Sequence, residues 1–336
     1  AGVIKNPSYT VALAIDGLGD TYSCVASINF EAQNGTETWL DLISPQVDSV
    51  WLNGSELKVS EIFDGTRIKL TNLKDKNTVQ VKANCSYMNT GEGLHRHIDP
   101  VDNEVYIYTQ FEVADSRRVF PVFEQPDIKG TLALTVTAPS KWTLISNSPT
   151  PASVKVNEEM STWSFAVTPT MSSYLYALCA GPYFKKTDVY KGKFGTYPLA
   201  VFVRPSLSEF LDHEEIFEIT KQGFEWFEDK FQVGYPFPKY DQVFVPEFNA
   251  GAMENVGCVT FRDEYIFRSR TTRTAYESRA NTILHEMAHM WFGDLVTMKW
   301  WNDLWLNESF AEWSSYLAMV EATRFKNSWT GFNQER

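Results

Sequence analysis

Apolar and polar residues alternate along the first half of the chain, from Tyr9 to about Tyr183. Short runs with a period of two are typical of half-buried strands. Turn-forming residues separate these runs, as at Asn53-Gly54 and Asp64-Gly65. The pattern therefore predicts an all-β domain, sandwich or barrel-like, with strands at 22–30, 79–85, 104–108, 131–138, 162–167 and 174–179.

The pattern changes after Gly181-Pro182. Phe residues then recur at near-helical spacing, which predicts a helix over 208–231 that ends before Pro236. Apolar periodicity predicts two more helices and two short strands in this half of the chain: helices at 276–292 and 303–320, strands at 199–203 and 243–245. We therefore expect two domains, a β-rich domain over residues 1–184 and an α+β domain over residues 185–336.

Composition agrees with a two-domain globular protein. The 336 residues are 43% hydrophobic and only 21% charged, which argues against disorder. The net charge of −12 argues against nucleic acid or an anionic membrane as the main partner. No apolar run reaches the roughly 20 residues of a membrane-spanning helix, so we expect no membrane segment in these residues.

Four scattered cysteines carry a weak indication of location. Cys24, Cys85, Cys179 and Cys258 form neither a disulfide-framework pattern nor a CxxC metal motif. Free cysteines are usually buried core residues. Reduced core thiols favour a reducing compartment, and we expect a cytoplasmic protein, with secretion left open.

The strongest chemical signal is His285-Glu286-Met287-Ala288-His289, within the predicted helix 276–292. Four residues span about one helical turn, so both imidazoles project from one face and can bind the same metal ion. Glu286 lies beside that face, where it can act as a general base toward a water molecule. The alternative is a pair of surface histidines with no metal.

A third ligand is expected from the next predicted helix. Eighteen residues separate His289 from Glu308, whose carboxylate lies in the opening turns of helix 303–320. Two histidines and one glutamate with one open position form the usual ligand set of catalytic zinc, and we expect one Zn²⁺ per chain. Without the histidines, Glu308 would be interpreted as a solvated helix carboxylate.

Three motifs at these spacings resemble the M1 family of zinc aminopeptidases: Gly251-Ala252-Met253-Glu254-Asn255, the HEMAH segment at 285–289 and Asn307-Glu308-Ser309. The chain is most similar to the bacterial aminopeptidase N type, and the resemblance extends through Thr109-Gln110-Phe111-Glu112 over nearly the whole chain. It implies an all-β, saddle-like N-terminal domain followed by the first part of an α+β, thermolysin-like zinc peptidase domain.

The resemblance also implies a metallo-aminopeptidase, with peptides bearing a free N-terminus as substrates. Glu286 would be the catalytic base, and His285, His289 and Glu308 would be the zinc ligands. Glu254, helped by Gln110 and Glu112, would bind the substrate α-ammonium group, because a carboxylate pairs strongly with a cation in a desolvated cleft. The remaining substrate-binding residues would be Gly251, Ala252, Met253 and Asn255, with Met253 lining the pocket for the first side chain.

One family feature has no counterpart within the chain. The tyrosine that stabilises the oxyanion in this family cannot be assigned here, and Tyr316 is interpreted as a packing residue. We therefore expect an N-terminal fragment, with that tyrosine beyond residue 336. Losing such a donor typically costs about 10²–10³ in turnover.

Other functions stay open at this point. The main alternative is a truncated, weakly active or inactive zinc-binding fragment that acts as a binding module. A thermolysin-like endopeptidase is disfavoured, because Glu254 and Glu112 would block a peptide from extending past them. An epoxide hydrolase side activity, known within the family, is compatible with the same motifs.

Overall fold

The computed structural model describes residues 2–334, so residues 1, 335 and 336 of the two predicted domains lie outside it. Contacts divide the chain into two compact units, one ending at Pro182 and the other beginning at Tyr183. Within the described range, no helix has both the length and the apolarity to cross a membrane. All four cysteines are buried and free.

The first unit is β-rich, as the alternating pattern predicts. Its strands are β1 Ile4–Ala14, β2 Thr21–Ala32, β3 Thr38–Asp41, β4 Gln46–Leu52, β5 Ser55–Leu57, β6 Arg67–Leu70, β7 Lys76–Ser86, β8 Gly93–Ile98, β9 Val105–Gln110, β10 Thr131–Pro139, β11 Thr143–Ser146, β12 Val154–Lys155, β13 Met160–Ser164 and β14 Leu178–Gly181. The one α-helix described in this unit is α1 Val59–Ile62, and 3₁₀ helices lie at Ser116–Arg118 and Ser173–Leu175.

Three sheets build this unit. The largest has the order β12-β13-β10-β1-β2-β7-β4-β5, a second has the order β11-β14-β9-β8, and β3 pairs with β6. Along β2 and β7 the buried residues alternate with more exposed ones, so one face of the large sheet covers the core. Strands β1 and β10 are parallel, with Ser8 opposite Thr131.

The second unit combines one sheet with helices. Its strands are β15 Phe184–Lys191, β16 Thr196–Val203, β17 Tyr240–Val245, β18 Ala252–Met253 and β19 Cys258–Arg262. Its helices are α2 His213–Phe231, α3 Arg273–His289, α4 Leu304–Ala322 and α5 Trp329–Gln334, with 3₁₀ helices at Pro205–Phe210, Asp263–Tyr265 and Trp301–Asp303. The sheet order β15-β16-β17-β19-β18 leaves the short strand β18 at an edge.

Several predicted boundaries are wrong. Helix α3 and strands β16 and β17 each begin three residues earlier than predicted, at Arg273, Thr196 and Tyr240. Helix α2 begins at His213, because residues 205–210 form a separate 3₁₀ helix and Asp212 leaves the helical region with ψ 60°. Helix α3 ends at His289, before the predicted Phe292. Strand β13 ends at Ser164, short of the predicted residue 167.

The predicted strand over 174–179 is also wrong in its first half. Residues 173–175 form a 3₁₀ helix, and the strand runs only from Leu178 to Gly181. The side chain of Asn147 binds the backbone on both sides of Tyr176, accepting from Ala177 N and donating to Leu175 O. These side-chain bonds replace the ladder bonds that a longer strand would form.

Candidate metal centre

Helix α3 carries both histidines of the HExxH segment. It begins after Thr272, whose hydroxyl caps the helix by accepting from Ala275 N at 3.2 Å. His289 is the last helical residue and is buried, whereas His285 lies one turn earlier and is partly exposed. The Nε2 atoms of the two rings are 3.1 Å apart, so one face of α3 directs both towards a common point.

Helix α4 brings the third group to the same point. Glu308 Oε2 lies 3.3 Å from His285 Nε2, and Glu308 Oε1 lies 3.7 Å from His289 Nε2. One ligand atom from each of these three residues lies within 4.8 Å of the other two. The structure therefore brings together His285, His289 and Glu308, although 18 residues of chain separate Glu308 from the nearer histidine.

The outer nitrogens of both rings are already hydrogen-bonded. His285 Nδ1 lies 3.0 Å from Glu312 Oε2, and His289 Nδ1 lies 3.1 Å from the carbonyl oxygen of Phe292. Both partners are acceptors, so each Nδ1 carries the proton that it donates. In the neutral rings both Nε2 atoms then present a lone pair to the shared point, as metal-binding histidines do.

The turn after α3 packs closely against His289. Gly293 has φ +139°, and a Cβ placed there would lie 3.1 Å from His289 Nδ1 and 3.3 Å from the His289 carbonyl oxygen. The next residue, Asp294, donates its N–H to that same carbonyl at 2.9 Å. Glycine is thus the residue that lets the chain reverse beside the imidazole.

The two histidines have opposite pKa shifts. Burial lowers the pKa of His285, but its hydrogen bonds to Glu308 and Glu312 outweigh burial, and the net pKa is about 10. Burial and the positive charge of His285 lower the pKa of His289 to about 4. Burial opposes ionisation of Glu308, yet its hydrogen bond with His285 holds the pKa of this carboxyl below its ordinary value. Without a metal, His285 is therefore protonated on both ring nitrogens near neutral pH, whereas His289 is neutral.

Glu286 lies on α3 between the two histidines in sequence and is buried, with 5% of its surface exposed. Its negative charge helps to raise the pKa of His285. The same charge, after burial itself, helps to raise the pKa of the buried hydroxyl of Tyr240 on β17. Glu286 is thus a carboxylate held close to the metal-ligand group in a desolvated environment.

The Gly251–Asn255 segment lies at the edge of the sheet in this second unit. Ala252 and Met253 form β18, which pairs antiparallel with β19, and Glu254 follows it as a buried carboxylate. Helix α3 contacts this strand. Asn255 closes the turn into β19, where its side chain donates to Thr260 Oγ1 at 3.2 Å and its carbonyl accepts from Cys258 N. Gly251 has room for a Cβ, whose nearest neighbour would be Tyr265 Oη at 3.4 Å.

Gln110 and Glu112 belong to the first unit. Gln110 is the last residue of β9, where it pairs with Gly93, and Glu112 follows two residues later. Both are partly exposed. Their role toward a substrate amine stays a prediction from sequence.

The donor set fits a divalent cation. Two imidazole Nε2 atoms and one carboxylate converge, and both outer ring nitrogens are held by acceptors. Nitrogen and oxygen donors of this kind suit zinc, with three protein groups leaving one coordination position open. The residues present therefore form a candidate metal centre.

Sequence reasoning missed three parts of this centre. Glu312 lies four residues after Glu308, hence on the same face of α4, and that spacing is the signal that would have found it. The carbonyl of Phe292 and the turn at Gly293 leave no comparable signal, because they act through backbone geometry.

An HExxH helix whose histidines meet a glutamate from the next helix is the metal centre of the metalloprotease class. Comparison with known proteins agrees. The peptidase M1 N-terminal domain model matches residues 6–175, and the peptidase family M1 domain model matches residues 215–336. The chain belongs to peptidase family M1, a family of metallo-aminopeptidases.

Individual relatives cover most of the chain. Aminopeptidase N of Streptomyces lividans is 54% identical over 99% of this chain. Tricorn protease-interacting factor F2 of Thermoplasma acidophilum is 35% identical over 87%, and aminopeptidase N of Acetobacter pasteurianus is 40% identical over 62%. The matched regions make up 39%, 36% and 58% of those proteins, so the chain spans well under two thirds of these relatives.

Proposed function

We propose that this chain contributes the N-terminal domain and the zinc-binding part of a metallo-aminopeptidase that removes N-terminal residues from peptides. The observation that carries the proposal is the convergence of His285 Nε2, His289 Nε2 and a Glu308 oxygen within 4.8 Å of one another. In this proposal the three residues hold one Zn²⁺. When bound, zinc lowers the pKa of a water molecule and polarises the peptide carbonyl.

Glu286 is the proposed general base. Its buried carboxylate takes a proton from the attacking water and passes it to the leaving amine, which a neutral glutamine cannot do. Its place supports this role, because Glu286 is buried and its charge acts on the neighbouring ligand His285.

Glu254 and β18 are proposed to select and align the substrate. The buried carboxylate of Glu254 would pair with the α-ammonium group of the first residue, and a blocked amine could not form that pair. Strand β18 ends its sheet, so its outer edge can add the substrate backbone as a further strand. The first peptide bond would then be the one held beside the metal centre.

The proposal is tested on zinc-loaded protein with leucine aminomethylcoumarin amide and its N-acetylated form. We expect hydrolysis of the free-amine amide alone. Glu286→Gln should lower the rate by about 10²–10⁴-fold and leave the zinc content at about one ion per chain. A matched control is Glu277→Gln on the same helix, where the carboxylate contacts Ser328 and neither histidine.

Three other outcomes would contradict the proposed function. Equal hydrolysis of the acetylated amide would indicate an endopeptidase. Zinc binding without product release, both by this chain and by a longer chain that includes the expected oxyanion tyrosine, would favour the second candidate, a zinc-containing binding module. If the wild type binds no zinc, the metal centre is ruled out. The same conclusion follows if the His289→Ala variant binds as much zinc as the control variant His213→Ala.

A further inference from the structure

Glu312 contacts the metal centre from its outer side. Its Oε2 lies 3.0 Å from His285 Nδ1, the ring nitrogen that faces away from Glu308 and His289. None of the ligand motifs includes this residue. We propose that Glu312 is a positioning residue of the metal centre: its carboxylate holds the His285 ring and its tautomer so that Nε2 is available to Zn²⁺. This inference rests on the proposed zinc site.

The two histidines depend on different supports. His289 is 1% exposed, is bonded to the Phe292 carbonyl and is packed against Gly293, so backbone and core fix its ring. The side chain of His285 is 16% exposed and donates its outer hydrogen bond to a side chain. Rotation of this ring is therefore restricted by Glu312, and loss of that carboxylate frees it.

The carboxylate also acts through its charge. An acceptor on Nδ1–H makes Nε2 a stronger donor to a metal ion, and a carboxylate does so more than a neutral oxygen. Glu308 and Glu312 lie one turn apart on α4, so the same helix supplies a direct ligand and the support for another ligand. Because Glu312 contacts Nδ1 and Glu308 contacts Nε2, the positions of the two carboxylates on α4 determine that Nε2 of His285 faces the metal.

Removal of Glu312 should leave the fold intact. Its side chain is 37% exposed, so a shorter residue opens no core cavity. The neighbouring contact between Asn281 Nδ2 and Ser315 Oγ, 3.1 Å, continues to join α3 to α4. A change in metal affinity would then come from the ring of His285 and not from separation of the helices.

The test measures zinc affinity by competition with a chromophoric chelator, and the visible spectrum of the Co²⁺-loaded protein. Glu312→Ala should weaken zinc binding about 10–100-fold and alter the Co²⁺ spectrum. Glu312→Gln retains an acceptor oxygen without the charge, so its zinc affinity should fall less, by about three- to tenfold. Glu321→Gln, an exposed glutamate on the same helix that contacts Trp226, is the matched control and should behave as wild type.

Wild-type affinity and an unchanged Co²⁺ spectrum in a folded Glu312→Ala protein would overturn the inference. If that variant fails to fold, Glu312→Gln decides, since zinc affinity equal to wild type would overturn the inference as well. Failure of the proposed function is distinguishable from this result. Zinc bound without aminopeptidase activity would leave the inference on Glu312 standing, whereas a wild-type chain that binds no zinc would remove both proposals.

Discussion

At the scale of residues, the two histidines of the metal centre differ in charge although their rings almost touch. His285 faces two carboxylates and has a pKa of about 10, whereas the buried His289, beside that positive charge, has a pKa of about 4. Near neutral pH the metal-free centre is therefore an imidazolium next to a neutral imidazole. A metal ion must displace the proton of His285, since only a ring with a free lone pair is a ligand.

This asymmetry predicts how zinc binding depends on pH. Because the pKa of His285 lies above the neutral range and that of His289 below it, zinc should release about one proton, and its affinity should rise about tenfold per pH unit between roughly pH 6 and 9. Calorimetry at pH 6, below the pKa of about 7 of a zinc-bound water, measures the proton count in buffers of different ionisation enthalpy. Release of two protons, or of none, would contradict the assigned protonation states.

Residue type and spacing identified the inner part of this centre from sequence. The one-turn spacing of His285 and His289 decides that their side chains share a face, whatever the rest of the chain does. The contacts of Glu312 and Phe292 depend on the rotation of two helices about their axes and on a turn geometry. Neither quantity can be obtained from a hydrophobic pattern.

At the scale of elements, α3 and α4 are joined by a series of polar contacts that runs in opposite directions along the two helices. Asn281 contacts Ser315, His285 contacts Glu312, and His289 lies beside Glu308. From one contact to the next, the residue number on α3 rises by four while the residue number on α4 falls by three or four, as expected for antiparallel helices. The metal-ligand group is the last step of this series.

Helix α2 approaches α3 closely from another side, at Gly223. A Cβ there would lie 2.5 Å from Leu284 Cδ2 and 2.8 Å from Met287 Sδ, and both of these residues are fully buried. They flank His285 and Glu286 in sequence. The absence of a side chain at position 223 thus sets how near the histidine-bearing helix lies to α2.

Gly223→Ala should therefore destabilise the protein. Overpacking costs about 1–3 kcal/mol, more than the roughly 1 kcal/mol that alanine gains over glycine in a helix. We expect a net loss of up to about 2 kcal/mol in the free energy of unfolding, measured in urea. Gln222→Ala, one residue earlier, is the control. A Gly223→Ala protein more stable than wild type would contradict this, because it would show that α3 shifts away from the added Cβ at little cost.

Element types were easier to predict than element ends. Alternation identified β2, β7 and β10, because each of these strands covers the core with one face. The pattern could not show that the Asn147 side chain binds the backbone near Tyr176, nor that Pro205 begins a separate 3₁₀ helix before α2. Both depend on single side chains, not on periodicity.

At the scale of the whole molecule, the proposed metal ligands His285, His289 and Glu308 belong to the second compact unit alone. A ligand that binds only the native state stabilises it by RT ln(1 + [L]/Kd), about 4 kcal/mol at a thousandfold excess over Kd. Zinc should therefore slow amide hydrogen exchange in α3 and α4, and leave exchange in β2 and β7 of the first unit unchanged. Exchange followed by mass spectrometry, with and without a chelator, measures both. Uniform protection of both units would contradict this expectation.

The series of contacts between α3 and α4 has a consequence for the order of events during synthesis. Every side chain of the metal centre lies between residues 285 and 312, so all of them have been polymerised within 28 residues of the first histidine. Strand β1 must instead wait for Thr131, which pairs with Ser8, before its parallel partner exists. Closing the shorter loop costs less chain entropy. The strands of the large sheet are all synthesised by Ser164, before α3 begins at Arg273, and β1 and β10 close a loop of more than a hundred residues. The later histidine-bearing hairpin closes a loop of fewer than thirty residues and can form as a local event.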